Sequence, residues 1–233
     1  MNRSFRHNLV SAGSRLVVCA MLTLPSAPSL ALGLFGSSDE PPLPQITLAR
    51  TQVAAEIPTP LQGNDMQALL AQAASGEGLA AARDAATRAF SEQLRSKLEH
   101  ALRHFFAEEQ VELAASDHSL TLHNFIDISI VKQLSGLKSG DDYELEKGNL
   151  SASGDFHFRL QKPGGEVLKE RRLDIADLRI KASYQIKTYS NGQAAEDSTP
   201  AELEKLTDNL VARILDRIED DLEADSLRNI AGG

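Results

Sequence analysis

The apolar residues of this chain change their period part-way along it, and that change constrains the fold more than any other feature. From about Leu79 to Glu109, Ala82, Ala86, Phe90, Leu94, Leu98, Leu102 and Phe106 recur every four residues, with Ala101 and Phe105 beside them. Such a stripe lies along one side of a helix, which at 1.5 Å per residue would run ~45 Å. From Val111 onward the period is two. Val111, Leu113 and Ala115 alternate along the chain, and Leu120, Leu122, Ile126, Ile128 and Ile130 share one parity. Leu150, Ala152, Phe156, Phe158 and Leu160 repeat the pattern, followed by Leu178, Ile180, Ala182, Tyr184 and Ile186. Alternation of this kind describes strands with one buried and one wet face.

Local signals divide the strand region. "KSGDD" at 138–142, "KPGG" at 162–165 and Asn191-Gly192 are turn sequences. Tyr143 and Leu145 precede Leu150 on the opposite parity, which predicts a bulge near Gly148. "IADL" at 175–178 shifts parity again, and a bulge and a chain reversal are both compatible with it. The last element is a helix. Thr199, Pro200 and Glu202 form a capping box with proline at the first helical position, and Leu203, Leu206, Leu210, Ile214, Ile218 and Leu222 form the stripe. Glu219, Asp220, Asp221, Glu223 and Asp225 crowd its dipole-negative end. That end is expected either to fray or to face something positive.

The expected fold is therefore α+β and two-layered. An antiparallel meander of four to five strands is covered on one face by a long N-terminal and a C-terminal amphipathic helix. The N-terminal third differs in character. Residues 1–15 carry Arg3, Arg6 and Arg15 and no acid, the run from Leu16 to Leu24 is mostly apolar, and "SLALG" closes the segment. This order is that of a secretory signal peptide cut between Ala31 and Leu32. Cys19 sits inside the apolar run behind Val18, where a lipoprotein signal requires a small residue, so it reads as part of the leader and not as a lipid anchor. No twin-arginine pair is present in the leader, and the general secretory route follows. Seven of the nine prolines precede residue 61. Residues 32–63 therefore read as a Pro-rich flexible arm, within which "ITLARTQVAAEI" at 46–57 is a weak strand candidate. Residues 64–233 form the single α+β domain, beginning with a short helix from Asn64.

Loss of the leader removes three positive charges and takes the formal net charge from −9 to −12. It also removes the only cysteine, and with it thiol catalysis, disulfides and cysteine-based zinc sites. The acidic balance opposes nucleic-acid binding and attachment to anionic membranes through bulk charge. No nucleotide-binding, zinc-protease or nucleophile-elbow motif occurs, and no cofactor is expected. "SGLK" at 135–138 matches Ser-x-x-Lys but falls between strands without companion motifs. His100 and His104, one helical turn apart with Glu108 beyond, fall opposite the apolar stripe and are expected to face water. The strand residues His123, Asp155, His157, Arg159, Arg179 and Lys181 share the wet face and form the candidate partner surface. "KERR" at 169–172 reads as a solvated basic spot, and Lys169 and Arg171 are the expected ion-pair partners of that face.

These readings point to a non-enzymatic bacterial protein of the cell envelope, periplasmic or secreted, that acts as a binding or assembly module for a protein partner. The alternative is a periplasmic carrier holding a lipid or other apolar ligand between sheet and helix. After cleavage no transmembrane segment remains. In element order the chain is similar to the small accessory lipoproteins of lipopolysaccharide assembly, from which it departs in lacking their lipid-bearing cysteine. That similarity is one of architecture.

Overall fold

A strand at the centre of a sheet pairs on both edges and alternates apolar with polar side chains, and two long stretches of this chain do so over much of their length. In the computed structural model, which describes residues 43–58 and 79–232, these stretches are β3 (Leu120–Ser139) and β4 (Tyr143–Gln161). They form one antiparallel hairpin in register from Thr121↔Gln161 to Ser139↔Glu144. Around it stand β1 (Ile46–Leu48), β2 (Gln52–Glu56), β5 (Val167–Asp174), β6 (Lys181–Tyr189) and β7 (Glu196–Asp197). The helices are α1 (Leu79–Glu108), α2 (Thr199–Leu222) and α3 (Ala224–Gly232). The fold is mixed α+β with a mostly antiparallel open sheet. Among the described residues no helix is long and apolar enough to cross a membrane. The leader with Cys19 and the Ala31–Leu32 bond, and the helix expected from Asn64, lie outside the described residues.

Among the described residues the sheet has seven strands where four to five were expected, and it is not a simple meander. The two additional strands at its N-terminal edge, β1 and β2, come from the stretch read as a flexible arm. Both run parallel to β3, with Ile46 opposite Leu120 and Gln52 opposite Phe125. The prolines flanking 46–57 obscured this, but β1 is held from both sides. The Ile46 amide donates to the Glu112 carbonyl at 2.9 Å, and the Leu120 amide donates to the Gln45 carbonyl at 2.9 Å. The alternating residues 111–115 thus contribute an isolated bridge from Leu113 to Ile46 instead of a strand. Along the other edge of β4, β5 and β6 lie end to end, both antiparallel to it. A 3-10 turn over Ile175–Leu178 joins them, with Asp174 as its cap. The parity shift at "IADL" is therefore a helical interruption in a chain that keeps its direction.

The bulge expected near Gly148 is present at that level of the hairpin, but its extra residue belongs to the opposite strand, between Leu134 and Gly136. "SGLK" consequently lies in β3 at that bulge and not in a turn. Gly148 is needed for another reason. A β-carbon there would stand 2.4 Å from the ring of Tyr184, which lies over the glycine, and 2.3 Å from the Gln133 carbonyl. Tyr143 and Leu145 project to the face opposite Leu150, which accounts for the apparent slip in parity.

The buried parity of β3 and β4 and the stripes of α1 and α2 belong to one core. Leu94, Leu98, Leu102, Phe106, Leu122, Phe156, Phe158, Leu160, Leu206, Leu210 and Ile214 are all fully buried within it. The cap of α2 is Ser198, one residue before the expected threonine, and the Asp197 carboxylate accepts from the Thr199 amide at 2.7 Å. The acidic C-terminal end of α2 does not fray. Asp221, whose side chain is 14% exposed, pairs with Lys169 at 2.8 Å and with Arg171. The "KERR" spot is thus split between two partners across β5, its lysine and first arginine meeting the helix.

Candidate functional site

Alternation along a strand sends every second side chain to the wet face. On that face, cross-strand pairing builds three short rows. His123 stands opposite Arg159, which stands opposite Glu170; Phe125 is opposite His157 and then Arg172; Asp127 is opposite Asp155 and then Asp174. Gly154 makes this spacing possible. Its φ of +125° is open to glycine, and a β-carbon there would meet the Asp127 carbonyl at 2.1 Å. Beside these rows β2 forms a wall. Gln52 and Ala54 bound a concavity of about 580 Å³ whose floor includes Phe125, Asp155, His157 and Arg172.

Five of the charged or titratable groups of the concavity, Asp155, His157, Arg159, Glu170 and Arg172, are mutually engaged. Arg172 grips Asp155 through two hydrogen bonds of 2.9 and 2.7 Å. That grip holds the Asp155 carboxyl below the ordinary aspartate range and raises Arg172 in turn. Glu170 accepts from His157 Nε2 at 2.7 Å and pairs with Arg159 at 3.3 Å. The hydrogen bond from His157, helped by the charge of Arg159, holds Glu170 below the usual glutamate range. The partners are therefore Arg172 and Glu170, not the expected Lys169 and Arg171, whose side chains lie on the other parity. Phe125 stacks on His157 with ring centroids 5.5 Å apart and on His123 at 6.5 Å. The three rings form a parallel ladder across two strands.

The structure brings together His123, Asp155, His157 and Arg159 from the candidate surface. Arg179 and Lys181 lie further along the same edge of β4, beyond the 3-10 turn. Arg179 has a left-handed φ of 54° as the cap of that turn, and Lys181 opens β6 opposite Ser151. Sequence reasoning missed Phe125, Glu170, Arg172 and the β2 wall. One signal for Phe125 was available: it is an apolar residue at a polar position of an otherwise regular alternation. On α1, His104 Nδ1 lies 3.2 Å from Glu108 and both side chains are exposed. Among the described residues no group of three or more His, Cys, Asp or Glu is placed to hold a metal.

An arrangement of ion pairs around an aromatic ladder suits recognition of a polar surface containing an apolar element. Within it, Asp155 and Glu170 are committed to cationic partners.

No family model and no curated protein matches the chain. Among solved structures, a Helicobacter pylori protein described as a neuraminyllactose-binding hemagglutinin homolog aligns at 11% identity and a TM-score of 0.46, over 82% of this chain and 92% of its own. A minor lipoprotein of Acinetobacter baumannii aligns at 12% identity and a TM-score of 0.27, over 74% of this chain and 94% of its own. Likenesses at this level carry no functional argument.

Proposed function

We propose that this protein is a non-catalytic binding module of the bacterial cell envelope that captures a protein partner on the outer face of its sheet. One observation carries the reading: the concavity of about 580 Å³ between β2 and the β3–β4–β5 rows, floored by Phe125 and by paired charges. An aromatic side chain that floors a concavity within a rim of charged groups is the usual anatomy of a recognition surface. In this reading the two long amphipathic helices cover the opposite face and serve as scaffold. The order of basic, apolar and small residues at the N-terminus supports export by the general secretory route, with the mature chain starting at Leu32 and Cys19 discarded unacylated. The carrier alternative receives less support. Phe156 and Phe158, which would line its pocket, are 0% exposed within a core of leucine and isoleucine.

The test is site-specific photo-crosslinking in the native cell. A photoreactive residue at position 125 is expected to yield one discrete adduct that is absent when the same group replaces Arg83 on α1. Reversing Arg159 and Arg172 to Glu should abolish the adduct without changing the circular dichroism spectrum. No adduct specific to position 125 would refute the proposal. So would a lipid co-purifying in native mass spectrometry that Phe156→Leu displaces, which would install the carrier reading instead.

A further inference from the structure

Beyond the groove, the same outer face continues along the far half of the β3–β4 hairpin and across β6, and its character changes. Cross-strand partners place Lys138, Leu145 and Lys187 in one row, Lys147 and Gln185 in the next, and Val131, Ser151 and Lys181 in another. Tyr143 and Tyr189 pair at the end of the hairpin. Lys187 Nζ rests between their rings, 4.9 Å from the centroid of Tyr143 and 4.6 Å from that of Tyr189. Lys138, Lys147 and Lys181 are exposed, as is Val131. The acids nearby include Glu196, on the β7 edge opposite Lys187, Asp141 and Asp142 in the hairpin turn, and the exposed Glu144, which alternation sends to the opposite face of the hairpin. A protein of net charge −9 thus carries a basic strand surface interleaved with tyrosine and aliphatic side chains.

We infer that this distal half of the outer face docks on a membrane surface rich in anionic phospholipid headgroups. The composition selects that occupant. Lysines near such a surface each contribute about fivefold to binding, the equivalent of ~1 kcal/mol. Tyrosine and short aliphatic groups favour the interfacial layer. The acidic end of α2 does not oppose this. Its helix packs on the buried parity of the sheet, about 10 Å or more from the lysines across the layer, and the Debye length at physiological salt is ~8 Å. Bulk charge therefore repels weakly where the local patch attracts. This surface is separate from the Phe125 concavity, so a partner and a membrane could be engaged together.

The experiment is co-sedimentation of the purified mature protein with vesicles of phosphatidylcholine, with and without phosphatidylglycerol. Binding is expected only when phosphatidylglycerol is present and should fall steeply with added salt. Neutralising Lys138, Lys147 and Lys187 to Gln should weaken it on the order of a hundredfold, with an unchanged circular dichroism spectrum. A control variant removes the same charge from α1 by changing Arg83, Arg88 and Arg103 to Gln, and should change binding by less than about twofold. Three results would overturn the inference: no binding to phosphatidylglycerol vesicles, an equal loss in the control variant, or displacement by soluble polyglutamate as effective as by competing vesicles. The last would assign the patch to an acidic protein.

Discussion

Replacing Asp221 by Asn tests whether the C-terminal helix is clamped to the sheet by charge. Burial by itself pushes the Asp221 carboxyl up, but hydrogen bonds from Lys169 and Arg171 and their positive charges outweigh it, so its pKa lies below the ordinary aspartate value. The carboxylate is mostly enclosed at 14% exposure, whereas its two partners are each 37% exposed. The interaction should therefore fall between exposed pairs, worth ~0–1 kcal/mol, and buried ones, whose disruption costs ~3–5 kcal/mol. An acid at a helix C-terminus is itself unfavourable by ~0.3–1 kcal/mol, and the substitution relieves that. The net loss expected at neutral pH is about 1–2 kcal/mol, or a fall in Tm of roughly 2–8 °C for a domain of this size. The pH dependence has a definite sign. Because the folded-state pKa is depressed, the contribution is complete above the unfolded value of ~3.9 and fades as pH falls through the folded value. Urea unfolding of wild type and Asp221→Asn should therefore differ at pH 7 and converge in strong acid. Equal stabilities at pH 7, or a gap that persists undiminished in strong acid, would refute the reasoning. A double-mutant cycle with Arg171→Met should return a coupling energy of about 1 kcal/mol.

Gly148→Ala should destabilise the protein by about 2–4 kcal/mol, because the new methyl group must displace Tyr184 and disturb its hydrogen bond of 2.8 Å to Glu146. Chemical denaturation together with near-ultraviolet dichroism of the tyrosines measures both effects. Changing His100 and His104 together to Ala should shift stability by no more than about 0.5 kcal/mol, since their side chains are exposed and His104 meets the equally exposed Glu108. A zinc-dependent rise in Tm that the double variant loses would contradict that placement.

The sequence by itself determined the elements whose signal is local. The four-residue stripe marks α1 from Leu79 to within one residue of its end, and the alternation of Leu120 to Ile130 and of Leu150 to Leu160 marks the two long strands and their buried face. Both signals exist because one side of a periodic element must leave water. The same alternation assigned His123, Asp155, His157 and Arg159 to one surface, since parity alone decides which face a strand residue occupies. Tertiary structure decided everything that depends on who stands next to whom. Residues 46–57 carry too little apolar pattern to specify a strand, and become β1 and β2 only because β3 offers a free edge to pair with. The bulge expected near Gly148 lies opposite that residue and takes its extra residue from β3, between Leu134 and Gly136, because register belongs to a pair of strands and not to one. Asp155 took Arg172, and Glu170 took His157 and Arg159, because β5 lies along β4 in a register no local signal encodes. Asp221 met Arg171 across a separation of 50 residues along the chain, and Lys169 beside it, a pairing set by where α2 docks. Local free-energy preferences are written residue by residue, whereas contacts between distant segments emerge only when the whole core has condensed.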